Sequence, residues 1–232
     1  HALRTGAVYA GKYLVFPVAV YVAARMLGPM TLPMLAQVAL TLLIVIPMGP
    51  MIYRLAYEPL AEASTLVLLI VSVGVHFAMV GLGLVMFGAE GSRTEAFSDA
   101  RFDLGALSVS GQSLWVVAVS VLMIVALYFY FGRTVSGKAL RATAVNRLGA
   151  RLVGIGTTQA GRLAFTLAAA LGALCGILIA PLTTVYYESG FLIGLKGFVG
   201  AIVGGLVSYP VAALGALLVG LLESYSSFWA SA

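Results

Sequence analysis

The sequence predicts an all-α fold: a polytopic membrane helix bundle of about seven spans with one amphipathic helix on the cytoplasmic side. Three observations carry this. First, 62% of the 232 residues are hydrophobic and 9% are charged, and the mean hydropathy is +1.08. A soluble domain averages roughly a quarter charged residues. Lipid is therefore the solvent for most of the chain, and in lipid only helices and closed barrels satisfy the backbone internally. Second, charge-free windows of span length recur along the chain. Third, one basic interruption, residues 133–162, stands between long apolar runs. It carries Arg133, Lys138, Arg141, Arg147, Arg151 and Arg162 and no acidic residue. Short Lys/Arg-rich loops stay in the cytoplasm. The net charge of +5 arises largely there, so it is a topology signal and not one for nucleic acid.

The spans follow in order. Lys12 and Arg25 bracket the first, Tyr13–Ala24, and can snorkel to opposite interfaces. The second lies within 26–53, after the Gly28-Pro29 turn. Pro33 suits its first turn, while Pro47 and Pro50 imply a kink or an early end. The third occupies 63–89. The fourth lies in 104–132, centred on Ser113 to Phe131, and the fifth in 163–187. The stretch 189–222 reads either as one kinked helix or as a hairpin with arms 190–206 and 210–226. Gly204-Gly205 and Ser208-Tyr209-Pro210 favour the hairpin, because the residue before a proline is pushed out of the helical region.

Topology follows from the loops. With the basic loop inside, loop 88–113 is periplasmic; it carries Glu90, Arg93, Glu95, Asp99, Arg101 and Asp103. The 54–64 loop, Arg4, Lys12 and the Pro210 turn then lie inside, and the Glu188 loop outside. The whole reads as a single transmembrane domain over 1–232. His1 in place of a starting Met, and the abrupt stop after Trp229, suggest a fragment of a longer protein.

Small residues recur at four-residue spacing: Ala168, Gly172, Gly176 and Ala180 in the fifth span, Gly200, Gly204 and Ser208 in the sixth, and Ala212, Ala216 and Gly220 in the seventh. Such faces let helix backbones approach closely in lipid. Cys175, alone in the chain, excludes an internal disulfide or a cysteine zinc cluster and reads as a small core residue. His76, in the third span, is expected to be neutral and hydrogen-bonded to a neighbouring helix. No paired acids, nucleophile triad or metal-ligand cluster appears, so neither enzyme chemistry nor a cofactor is expected. Gly132 to Ala139 nearly matches the phosphate loop G-x-x-x-x-G-K-[ST]. That motif needs a preceding strand and a hydroxyl for magnesium, and Ala139 has none.

Residues 138–153, KALRATAVNRLGARLV, predict an amphipathic helix. Val145, Leu148, Leu152 and Ile155 fall on one stripe, Arg147 and Arg151 lie beside it, and Gly154 and Gly156 end it. Such a helix lies on the lipid surface or sits in a groove on a partner protein, and the residues leave both readings open. In the late hairpin, Lys196 and Glu223 are the two internal charges. A turn at Ser208-Tyr209-Pro210 puts them about 18 and 21 Å from it, at similar depth. They either pair or snorkel separately.

The run NRLGARLVGI, preceded by GKALRATA, resembles the cytoplasmic loop of permease subunits of the branched-chain (hydrophobic) amino acid ABC importers. YRLAYEPL followed by LIVSVGVHF resembles that family's second cytoplasmic loop and next helix. GFLIGLKGFVGAIVGGLVSYPVAALGALLVGLLESYSS is similar to its late hairpin nearly throughout. The resemblance covers roughly residues 50–228, and GAVY at 6–9 corresponds to the start of the family's second helix. An acidic residue is common in the family where Asn146 stands.

The resemblance implies an ATP-driven importer of branched-chain or related amino acids in the bacterial inner membrane. It implies ABC ATPase subunits, a second permease subunit and a periplasmic substrate-binding protein as partners. It makes the 138–153 helix the ATPase-coupling helix, through Arg141, Asn146, Arg147, Leu148, Arg151, Leu152 and Gly154. A stand-alone secondary transporter or channel is the alternative. Such proteins carry intramembrane acidic relays or broken-helix ion sites in repeated halves, and neither is apparent here. A purely structural membrane subunit is a third class, and co-purification with an ATPase separates it from the first.

Overall fold

The computed structural model describes residues 32–104, 107–206 and 208–230, with the isolated positions 19, 20, 22, 23 and 26. The expected first span, Arg4, Lys12 and the 6–9 stretch fall largely or wholly outside these residues. Among the described residues, five helices are long and apolar enough to cross a membrane, and a sixth apolar helix is shorter.

Helix α1, Met34–Ile52, starts after Pro33, whose carbonyl accepts from Ala36 and Gln37. It continues past Pro47 and Pro50 to Ile52, so the early end that was one of the two expectations does not occur there. The irregularity comes later. A π-turn, Tyr53–Tyr57, and a short 3-10 turn, Glu58–Leu60, follow, and the Tyr53 N–H is shared between the Gly49 and Pro50 carbonyls. One widened turn thus absorbs the register that the prolines disturb.

Helix α2, Thr65–Phe87, is capped by the Ser64 hydroxyl. The expected periplasmic loop holds a small antiparallel hairpin, β1 (Arg101–Leu104) and β2 (Leu107–Ser110), with Arg101 opposite Ser110. Sequence reading missed it, because mixed charges hide the alternation in so short a ribbon. Helix α3, Gly111–Arg133, is capped by Ser110 and is slightly longer than expected at both ends.

The basic interruption is not one helix over 138–153. Helix α4 is Val135–Val145 and helix α5 is Arg147–Leu152. They break at Asn146, whose backbone is extended and whose Oδ1 accepts from the Gly149 N–H at 2.9 Å. Asparagine favours caps over helix interiors because its side chain competes for backbone groups. Helix α6, Thr157–Ile179, starts and ends earlier than the expected 163–187. It begins inside the basic loop, and Pro181 follows its end. Helices α7, Ser189–Val203, and α8, Tyr209–Ala230, form the hairpin.

Two helix pairs pack most closely, each over glycine. In α1 against α6, a Cβ on Gly49 would strike the Phe165 carbonyl and Ala169, and one on Gly161 would strike the Tyr53 ring. In α7 against α8, Gly200 faces Ala216, Gly204 faces Ala212, and Gly215 lies on the backbone of Gly200 and Gly204. Close backbone approach maximises dispersion where lipid offers no hydrophobic drive. The expected α6 stripe behaves differently: Gly172 and Gly176 have open space beside them, as does Gly220.

The two ends of the bundle are built differently. At the mixed-charge end, Ser92 and Val185 exchange backbone hydrogen bonds of 2.8 and 2.9 Å. Arg93 Nε donates to the Pro181 carbonyl at 3.1 Å. Buried Gln112 donates to the Leu178 carbonyl and accepts from the Phe97 N–H, both at 2.9 Å. The loop between α2 and α3 is thereby pinned to the end of α6. The opposite, basic end gathers the 53–64 segment, α4, α5, the start of α6 and the turn between α7 and α8.

Candidate functional site: the basic end

Thr134 opens this end. Its hydroxyl caps α4 by accepting from the Gly137 N–H at 3.0 Å and donates to the Tyr130 carbonyl at 2.6 Å. Gly137 lies directly on the backbone of Tyr130 and Phe131, so α4 folds back sharply against α3. A helix and not a strand precedes Gly132, so the near-match to a phosphate loop lacks its structural context.

Two arginines of α5, Arg147 and Arg151, and Arg162 of α6 fasten this end to the 58–63 segment. Arg147 Nη1 donates to the Ala61 carbonyl. Arg151 Nη2 lies 2.6 Å from Glu62 Oε1, and its Nε donates to Thr157 Oγ1 at 3.1 Å. Arg162 Nη2 lies 3.0 Å from both carboxylate oxygens of Glu58. Hydrogen bonding and then charge from Arg151 hold the Glu62 carboxyl below its ordinary range. Tyr53 and Tyr57 pack against Phe165 in tilted contacts, with centroids 5.3 and 4.7 Å apart. Tyr57 also donates to Ser72 on α2 at 2.9 Å.

Of the residues singled out from the sequence, Arg147 and Arg151 therefore bond to the chain's own carbonyl and carboxylate, with Arg147 half-buried and the Arg151–Glu62 pair exposed. Sequence reading missed Ala61 and Glu62 as their partners, and the separate Arg162–Glu58 pair, because contacts such as Arg147 to Ala61 and Arg162 to Glu58 join segments 86 and 104 residues apart. The apolar stripe faces outward instead. Val145 is 88% exposed, Leu148 68% and Leu152 81%. Val153 beside them is exposed, and Ile155 is half-buried. Gly154 ends α5 with φ +84°, a conformation that suits glycine. Arg141, on α4, is exposed above an apolar cavity.

Lys196 and Glu223 lie elsewhere, joining α7 to α8 through Nζ and Oε1, with side chains 59% and 53% exposed. His76 packs against the Phe191 ring of α7, 4.6 Å between centroids. The expected hydrogen bond to a neighbouring helix is not formed among the described residues. No group of three or more His, Cys, Asp or Glu among the described residues could hold a metal ion. At the mixed-charge end a second cavity, of about 460 Å³, is lined by Gln37, Thr41, Thr94, Glu95, Phe97 and Ile177 among others.

The arrangement holds a short apolar ridge rigidly at one end of a membrane bundle. Comparison with known proteins identifies the family. The family described as branched-chain amino acid transport system / permease component matches residues 6–232. The chain is 29% identical over 223 residues to the high-affinity branched-chain amino acid transport system permease protein BraD of Pseudomonas aeruginosa, covering 94% of this chain and 73% of that protein. It is 27% identical over 191 residues to the permease protein LivH of the corresponding Escherichia coli system, covering 79% and 61%. A probable branched-chain amino acid transport permease of Methanocaldococcus jannaschii is 26% identical over 185 residues, covering 77% and 59%. No solved structure matches.

Proposed function

The chain belongs to the branched-chain amino acid transport system permease family, and from that premise we propose that it is the membrane-spanning permease subunit of an ATP-driven importer of branched-chain or related amino acids. It is a multi-pass protein of the inner membrane. ATP hydrolysis belongs to separate ABC ATPase subunits. A second permease subunit completes the path, and a periplasmic binding protein delivers substrate.

One observation supports the coupling role: Val145, Leu148, Leu152 and Val153 are exposed apolar side chains on and beside α5, a helix that the Arg151–Glu62 salt bridge and the Arg147 bond to the Ala61 carbonyl hold to the 58–63 segment. Apolar side chains set in a fixed frame are what a groove on a partner protein grips. The arginines supply the frame, so closure of the ATPase dimer would push α5 as a unit with α1 and α6. Positive-inside bias supports the cytoplasmic location of this end.

The test is co-purification of the ATPase subunit with the permease complex. Leu148→Asp with Leu152→Asp is expected to lose the ATPase while the complex still inserts. Unchanged recovery of the ATPase would remove the ridge from the docking site. A stand-alone transporter would bring down no ATPase even with the unaltered chain.

A further inference from the structure

The cavity beneath Arg141 has a chemistry of its own. It holds about 560 Å³ and is framed by α3, α4, α6 and the α7–α8 turn, within the size range of small-molecule sites. Leu127, Leu140, Leu167 and Leu171 give it an aliphatic wall. Its polar groups are Arg141 and the hydroxyls of Ser208 and Tyr209. Arg141 makes no hydrogen bond or ion pair with the described residues. The Tyr209 and Phe131 rings lie 5.0 Å apart at its edge, and tyrosine is enriched at membrane–water interfaces.

A second feature marks the rim. Leu206 has φ +54° and is 68% exposed. A bulky residue in the left-handed region is uncommon and strained. The turn holds it there through the Leu206 N–H to the Ala201 carbonyl at 3.1 Å. The strained turn thus offers an apolar side chain beside an aliphatic cavity.

We propose that this cavity binds an anionic phospholipid of the cytoplasmic leaflet, with an acyl chain along the leucine wall and the headgroup phosphate on Arg141. Charge complementarity selects the occupant. A cation that makes no hydrogen bond or ion pair with the described residues, above an apolar cleft at the inner interface, fits an acyl chain bearing a phosphate. A free amino acid would bring an ammonium group, and among the described residues no carboxylate lines the cavity to receive it. Lipid binding here does not depend on the transport reading.

The test uses native mass spectrometry of the purified permease complex with phosphatidylglycerol or phosphatidylcholine of identical acyl chains. The unaltered protein is expected to retain phosphatidylglycerol preferentially. Arg141→Gln should cut that preference about fivefold, the effect of one cation near an anionic headgroup. Arg141→Lys should keep most of it. Arg133→Gln removes a cation that lies over the Phe129 ring at 5.7 Å and should leave retention unchanged. Ala168→Phe, which fills the cavity, should reduce both lipids. Equal retention of the two lipids, or no response to Arg141→Gln, would overturn the proposal. So would displacement of phosphatidylglycerol by leucine, which would make the cavity a substrate site.

Discussion

Arg162, in the second turn of α6, reaches both carboxylate oxygens of Glu58 at 3.0 Å across 104 residues of sequence. The contact ties the end of the α1 segment to the start of α6. It lies directly above the close glycine packing of Gly161 on Tyr53. Both side chains are part-exposed, at 41% and 29%, so solvent screens the pair. A double-mutant cycle of Glu58→Gln and Arg162→Gln is expected to give a coupling of about 0.5–1 kcal/mol in thermal unfolding. Additive losses would mean that the two residues act separately.

The Arg151–Glu62 pair gives the frame a pH dependence. The folded-state pKa of Glu62 is lowered, so its contribution is present above the ordinary carboxylate range. It is lost as pH falls through the lowered value. Amide exchange in α5 is therefore expected to rise on acidification below about pH 4.5, the ordinary value for this group. In Glu62→Gln, exchange at neutral pH should already be raised and this acid response absent. An identical acid response in that variant would assign the titration to another group.

Lys196 and Glu223 meet across the α7–α8 hairpin, well inside helices of apolar composition. Each charge left alone at that depth carries a solvation cost that its partner relieves. Lys196→Ala and Glu223→Ala should each lower the yield of folded protein, and the double variant should cost less than their sum. Strict additivity would show that each side chain reaches water independently.

Orientation is open to direct measurement. Asp99 is exposed in the loop between α2 and α3, whereas Ser98 is half-buried and accepts from the Ala100 N–H at 3.3 Å. With Cys175→Ala as background, Asp99→Cys is expected to react with an impermeant thiol reagent in intact cells whose outer membrane admits it. Reaction only after inner-membrane rupture would invert the topology.

The spans were legible because a charge-free window is a local property: α2, α3 and the α7–α8 hairpin fall where hydropathy and turn residues put them. Helix ends were less legible. The start of α6 rests on the Gly156 cap and on Arg162 finding Glu58, and the second is invisible in a local window. Pro47 and Pro50 suggested an interruption, yet the chain accommodates them with a π-turn downstream and close packing of Gly49 on α6. Asn146 was read as a position within a helix, although its side chain caps α5 and breaks the run. At the basic end, the stripe of Val145, Leu148 and Leu152 was visible as a periodicity. The bonding role of Arg147 and Arg151 was not, because only the fold supplies Ala61 and Glu62.

The central claim is that the α5 ridge transmits ATP-driven motion to the membrane helices. The direct measurement is substrate-stimulated ATP hydrolysis and amino acid uptake in proteoliposomes holding the permease, its ATPase and its binding protein. Leu148→Asp with Leu152→Asp should lower both at least tenfold, which corresponds to loss of about 1.4 kcal/mol of contact. Arg147→Glu with Arg151→Glu should uncouple hydrolysis from uptake by loosening the frame, with insertion retained. Uptake and hydrolysis at the unaltered level in both variants, with normal insertion, would contradict the account.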